Sequence, residues 1–174
     1  MQNITVDSRT FCFDDSWLIM KYDETPFYKN HLSNKQGWKK SMKGVDLIAF
    51  DPCAKVLFLI ESKDYRVHQR KKKLSPEKEF FEKVIDTFTG ILPTVLCSNS
   101  RTNGEDVLNE SVAKAKKIRL IYQFEQPIKH SKLFPRVYDT ADMQSKLRQE
   151  LRIFDPHLLV IDSTTQSKVA WSVI

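Results

Sequence analysis

Glycine is scarce in this chain, at four residues in 174. No GxxxxGK[ST] phosphate loop and no GxGxxG turn is present, which excludes the nucleotide-binding loops built on them. Cysteine is equally sparse. Cys12, Cys53 and Cys97 are far apart, odd in number and form no CxxC. Neither a disulfide framework nor a zinc knuckle is therefore expected, and a reducing cytoplasm fits best. No apolar run approaches the roughly 18 residues that would span a membrane. The opening MQNITVDSRT lacks the charged-then-apolar layout of a signal peptide. His31, His68, His130 and His157 show no metal-ligand spacing and read as surface or packing residues. Ser62 and Cys53 belong to no motif for nucleophilic catalysis.

What is present is an ordinary hydrophobic fraction, 41%, in a chain long enough for a real core. One domain over residues 1–174 is the simplest organisation. No internal repeat or low-complexity tract is visible. The charge balance is 28 basic against 22 acidic residues, a net +6. The excess is clustered. Lys35, Lys39, Lys40 and Lys43 precede the stretch 44–66, and Arg66, Arg70, Lys71, Lys72 and Lys73 end or follow it. Clustered basic charge attracts polyanions; its plainer reading is a solvated loop.

Residues 1–15 carry little signal. Residues 17–22 suggest a strand or short helix, and Pro26 disfavours helix at Thr25. Residues 29–43 read as a lysine-rich loop. A helix then starts at Ser75, a good N-cap, with Pro76 in the first helical position and Glu77 and Glu79 at the positive end of the dipole. Its apolar positions Phe80, Phe81, Val84, Ile85, Phe88 and Ile91 follow helical spacing and read as core. Pro93 is expected to kink or end it. A loop over 98–104, a helix over 105–117, a strand over 118–124, a helix over 139–154 and strands over 157–161 and 169–174 follow. Trp17, Trp38 and Trp171 read as core, with Trp38, beside Lys39 and Lys40, the one to test for base stacking.

The stretch 44–66, GVDLIAFDPCAKVLFLIESKDYR, organises the rest. Apolar runs at 45–50 and 56–60 flank a turn-like DPCAK and predict a hairpin. Residues two apart on a strand share a face, so Glu61 and Lys63 point the same way. Pairing brings Asp46 beside them. Two carboxylates and an ammonium then meet at the end of a greasy hairpin, and buried charge is costly unless paired or metal-bound. The purely structural reading is a salt bridge from Lys63 to Asp46 or Glu61. The chemical reading is metal-assisted phosphodiester hydrolysis. A hard cation such as Mg²⁺ takes a few carboxylate oxygens and keeps several waters. It polarises the phosphoryl group and acidifies a bound water, while a lysine neutralises developing charge. The Ser62 carbonyl lies between the two side chains and is available to the metal.

Asp46, fourteen intervening residues and then Glu61-Ser62-Lys63 at the end of an apolar strand resembles the PD-(D/E)XK, restriction-endonuclease-like nuclease superfamily. The resemblance covers residues 45–124. It implies an α/β fold of the α+β kind: a central mixed sheet flanked by helices in the order helix, three strands, helix, strand. The core would span about residues 16–124, with a C-terminal helix and strands over 125–174 as an elaboration. It implies Asp46 and Glu61 as ligands of Mg²⁺, with Mn²⁺ able to substitute, and Lys63 as the catalytic lysine acting on water. DNA is the implied substrate, RNA stays open, and a homodimer is common in such folds. Lys39, Lys40, Lys43, Arg66, Arg70, Lys71, Lys72 and Lys73 would contact phosphates. Val45 stands where many members have proline. Many also carry an acid on an N-terminal helix, for which the candidates here are Asp23 or Glu24. The alternatives are a nuclease-fold protein that binds nucleic acid or a partner without cutting, and a subunit of a larger restriction or defence complex.

Overall fold

The computed structural model describes residues 1–33, 42–66, 74–96, 106–127, 129, 132 and 138–174. The chain begins with β1 (Gln2–Val6), β2 (Arg9–Phe13) and β3 (Leu18–Lys21). A 3-10 turn (Tyr22–Glu24) and a π-type turn (Tyr28–Leu32) lead to β4 (Leu47–Asp51) and β5 (Val56–Asp64). Then come α1 (Pro76–Leu96), α2 (Asp106–Lys114), β6 (Lys117–Glu125), α3 (Thr140–Glu150), β7 (Leu159–Ile161) and β8 (Ser172–Val173).

The architecture is mixed α/β, with a five-stranded mixed sheet flanked by helices. Its spatial order is β3-β4-β5-β6-β7. The first three strands are antiparallel; β6 runs parallel to β5 and β7 parallel to β6. A parallel neighbour requires a long crossover, and α1 and α2 lie in that connection. The second sheet, β1-β2-β8, is antiparallel and joins the two ends of the chain.

The period-2 alternation of the strands sorts the core into two layers. Ile48, Phe50, Leu57, Leu59, Leu120, Tyr122 and Phe124 pack with Phe80, Val84 and Leu108 on the helical side. Leu47, Ala49, Ile60 and Ile121 pack with Phe11, Phe13, Trp17 and Trp171 on the small-sheet side. The central strands are apolar on both faces because both are covered, as parallel pairing usually demands. Trp17 and Trp171 are core residues, as expected, with ring centroids 5.9 Å apart.

Several boundaries move. The β4–β5 turn closes through Asp51, whose Oδ1 accepts from Cys53 and Ala54 N–H, and through Lys55 at φ 55°. α1 runs past Pro93 to Leu96 with one intrahelical hydrogen bond missing, since Pro93 has no N–H to give the Thr89 carbonyl. The helix expected over 105–117 stops at Lys114, since Lys117 already pairs with Val56 in the sheet. α3 spans Thr140–Glu150 with Asp139 as its N-cap, and β7 begins only at Leu159. The strand expected over 169–174 shrinks to Ser172–Val173. Residues 1–15, which carried little signal, form the β1–β2 hairpin. The described N-terminal residues show only short turns where the resemblance implies a first helix. The C-terminal segment supplies β7 to the main sheet and β8 to the small one. No helix among the described residues is long and apolar enough to cross a membrane.

Two of the few glycines serve one side chain. Tyr22 is fully buried, and a Cβ at Gly90 would lie 2.4 Å from its hydroxyl and 2.5 Å from Leu32 Cδ1. Leu32 can yield; the enclosed Tyr22 ring cannot. Gly90→Ala is therefore expected to cost about 1–3 kcal/mol, the usual range for overpacking. In a thermal melt this reads as a fall of several degrees, at about 2–4 °C per kcal/mol for a chain of this size. An unchanged midpoint would contradict the packing described.

Candidate active site

The segment ahead of β4 is pinned residue by residue. Lys43 N–H donates to Asp86 Oδ2 at 2.8 Å, and Val45 N–H to Thr87 Oγ1 at 3.0 Å, both on α1. Gly44 N–H donates to the Tyr28 hydroxyl at 3.0 Å. The Asp46 carbonyl accepts from Tyr22 N–H at 3.1 Å. Gly44 must be glycine for this approach, since a Cβ would sit 2.9 Å from both the Tyr22 and Tyr28 rings. Asp46 is thereby held one residue before the Leu47–Ile60 pair, opposite Glu61.

There the hairpin ladder ends and a side chain takes over. Asp46 Oδ2 accepts from Ser62 N–H at 2.8 Å. Its other oxygen, Oδ1, accepts from Lys83 Nζ at 3.1 Å, and Lys83 also donates to Glu61 Oε2 at 2.8 Å. Lys63 Nζ lies 2.6 Å from Glu61 Oε1 and 3.8 Å from Asp46 Oδ2, and donates to the Ser62 carbonyl at 3.1 Å. Both pairings of the salt-bridge reading are thus present. Glu61 Oε1 is 2.6 Å from both ammonium nitrogens but has no aligned hydrogen bond. The cluster is two carboxylates against two ammonium groups. Glu61 is only 1% exposed, while the Lys63 and Lys83 side chains keep 19% and 14%, so the lysines form its open edge.

Burial, and then the Asp46 charge, push the Glu61 carboxyl up to about 7, although both lysines pull it down. Burial works against the charge on Lys83, but Glu61 and Asp46 outweigh it and hold the ammonium above an ordinary lysine. The same balance raises Lys63. Both lysines are therefore cations and hydrogen-bond donors at neutral pH, not bases.

Asp23 and Glu24 part company. Glu24 is exposed and pairs with Lys21 at 3.0 Å. Asp23 is partly buried; desolvation and the Asp46 charge raise its carboxyl, while Lys83 lowers it. Asp23 therefore shares the field of the cluster. Of the expected phosphate contacts, Lys43 pairs with Glu82 at 2.7 Å and Arg66 with Asp64 at 2.6 Å. Lys39, Lys40, Arg70, Lys71, Lys72 and Lys73 lie outside the described residues, as do Trp38, His68, His130 and Cys97.

Lys83 was not foreseen from the sequence. The signal lay inside the helix taken as core. Glu79, Lys83 and Thr87 recur every four residues beside the apolar stripe and so share a face. Glu79 and Thr87 are buried, at 2% and 0%. Polar residues repeating at that spacing on a buried face mark a helix that presents chemistry to a sheet. Among the described residues no group of three or more histidine, cysteine or acidic side chains gathers as a metal cage. Comparison with known proteins finds no matching family model, curated protein or solved structure.

The electrostatics predict a pH-dependent cost for losing Lys83. Glu61 sits at about 7 against an ordinary 4.5, so the unfolded chain releases this proton first as pH rises. Its contribution favours the folded state below pH 4.5 and is lost as pH climbs through 7. Lys83→Met removes a neighbour that lowers Glu61, so the penalty grows with pH. At pH 8 the variant is expected to lose about 3–5 kcal/mol, the usual cost of breaking a buried pair. At pH 5, with Glu61 protonated, the loss is expected to be clearly smaller. Urea melts at the two pH values check this; equal losses would refute it.

Proposed function

We propose that this cluster is the centre of a metal-dependent nuclease that hydrolyses phosphodiester bonds in DNA. The observation that carries the proposal is the convergence of Asp46, Glu61, the Ser62 carbonyl and Lys63 at one open strand end. Support also comes from β3, β4, β5, α1 and β6, which follow the order implied by the PD-(D/E)XK resemblance except that α2 is inserted before β6 and no first helix precedes β3 among the described residues. Buried ion clusters contribute little net stability, so a nearly enclosed pair of carboxylates with a strongly shifted Glu61 fits a functional site better than a brace.

The donor set fits a hard divalent cation. Asp46 Oδ1 and Glu61 Oε2 converge on one positive charge, the Lys83 ammonium, and Glu61 Oε1 keeps unaligned lone pairs beside it. Asp46, Glu61 and the Ser62 carbonyl would hold Mg²⁺ or Mn²⁺. Asp23 would add charge from the side. When bound, the ion supplies Lewis-acid polarisation of the phosphate and a more acidic water. Lys63, held as an ammonium, donates to a phosphoryl oxygen and neutralises charge that builds up as water attacks phosphorus. Asp46 stays aligned because Ser62 N–H holds its second oxygen. The Arg66 guanidinium is 46% exposed and lies three residues beyond Lys63, where it meets the flanking phosphate backbone. A cytoplasmic location fits the free thiols Cys12 and Cys53.

One observation favours a second reading. Lys83 already neutralises both carboxylates, as in a nuclease-fold protein that binds nucleic acid without cutting. Incubating plasmid DNA with Mg²⁺, Mn²⁺ or EDTA, alongside Glu61→Gln and Lys63→Met, separates the two. Cleavage is expected with either ion and not with EDTA. Each variant is expected to lose about 100-fold or more, the usual cost of removing a charge-stabilising group. Salt-dependent DNA binding without cleavage in any condition selects the second reading. Calorimetry gives a check independent of turnover: Mn²⁺ is expected to release or absorb heat on wild type but not on Glu61→Gln.

A further inference from the structure

A second charged surface lies at the other end of the sheet. Three cavities of about 560, 460 and 420 Å³ meet around Pro156 and His157. The first two share Lys117 and His157; the last two share Arg148. Through these shared residues they adjoin one another around the β7 edge, from the start of β5 and β6 to the outer side of α3, and together make one basic surface depression. Six cations line it: Lys116, Lys117, Arg119, Arg148, Arg152 and Lys168. Against them stands one lining carboxylate, Asp155, which is buried and already holds Arg119 at 2.8 Å and the Leu120 N–H at 2.9 Å. Six charges against one leave a local excess close to the +6 of the whole chain.

Four of these cations are not braces. Arg119 and Arg148 are anchored, Arg148 through its Nε–H to the Leu158 carbonyl at 2.8 Å. Lys116, Lys117, Arg152 and Lys168 are exposed and make no ion pair among the described residues. Like charges gathered without counter-charges repel one another, so the surface is complementary to a polyanion. The cavities line no free phenyl or indole ring: Phe154 is stacked on Phe88 at 4.5 Å, and Phe58 is packed on Trp17 at 5.4 Å, which leaves only the small imidazole of His157 exposed. With six cations against one small ring, lysine and arginine contacts to phosphates dominate over base stacking. The depression is also remote from the carboxylate cluster. β5 runs from Val56 beside it to Lys63 in the cluster, about 23 Å at roughly 3.3 Å per residue.

We propose that this depression is a second nucleic-acid binding surface, which grips the phosphate backbone of a duplex independently of the Asp46–Glu61 cluster. Anchoring at a distance keeps the nucleic acid bound whatever the state of the cluster. The charge of the depression is the same whether or not that cluster cuts.

The test is fluorescence anisotropy of a labelled 20-base-pair duplex, about 20 bp being enough for several backbone contacts, in EDTA over a series of salt concentrations. Wild type is compared with the triple variant Lys117→Glu, Arg152→Glu, Lys168→Glu. A control carries the same charge change elsewhere: Lys29→Glu, Lys78→Glu, Lys132→Glu. All six positions are exposed, and circular dichroism checks folding. The patch variant is expected to bind at least about tenfold more weakly at low salt, with a salt slope shallower by about 2–3, near 0.9 per lost phosphate contact. The control is expected to change binding much less. Equal losses in both variants, or no salt-dependent binding by wild type, would overturn the proposal. Because EDTA removes turnover from the binding measurement, binding lost with the patch while plasmid is left uncut in Mg²⁺ and in Mn²⁺ supports this surface and refutes the nuclease reading. Cleavage with unaltered patch-variant binding does the reverse.

Discussion

The Asp46 carboxylate joins the parts of this molecule. One oxygen accepts from the Ser62 backbone and so fastens β5; the other accepts from Lys83 and so fastens α1. Glu61 closes the ring through the same ammonium. Helix, hairpin and cluster are therefore positioned by one set of hydrogen bonds. Such a ring is expensive to bury, since each charge is desolvated. It persists because every charge has an opposite neighbour within hydrogen-bond reach. The rest of the architecture brings those neighbours to one place.

The approach to Asp46 shows how closely backbone and site are coupled. Residues 43–46 each give one backbone group to a different partner: Asp86, Tyr28, Thr87 and the Tyr22 amide. Tyr22 fills the space between Gly44 and Gly90, so a chain poor in glycine places two of them where a single aromatic ring needs room. The turn that carries Tyr22 also carries Asp23, which places a third carboxylate in the field of the cluster.

The opposite face of the sheet is polar too at the end of the neighbouring strand β6, for a different purpose. Glu125, two residues past Gln123 on β6, takes Arg9 of the small sheet at 2.9 Å and Gln123 at 3.2 Å. Period-2 alternation sends Glu61 and Lys63 to the helical side and Gln123 and Glu125 to the small-sheet side. The adjacent ends of β5 and β6 thus hold two charge systems, one on each face of the sheet. The first is partly open and balanced by lysines; the second is closed and ties the N-terminal hairpin to the main sheet.

Local rules made much of this legible in the chain alone. The hairpin, the spacing of Glu61 and Lys63 on one face, the Ser75 start of α1 and the β6 strand follow from strand alternation, capping and helical periodicity, which act between near neighbours. The β1–β2 hairpin was not legible, and the strand expected over 169–174 was read too long, because the hairpin and β8 are paired with the other end of the chain. Lys83 was hidden for the same reason. On a helical wheel it is one lysine beside an apolar stripe, and its role exists only once α1 lies over β5. The choice of Asp23 over Glu24, and the gathering of Lys117, Arg148 and Lys168 from three separate segments into one basic surface, are likewise tertiary. Sequence determined which groups could be charged and which way each strand faced; the fold decided which charges meet, because contacts between distant segments depend on packing that no local pattern encodes.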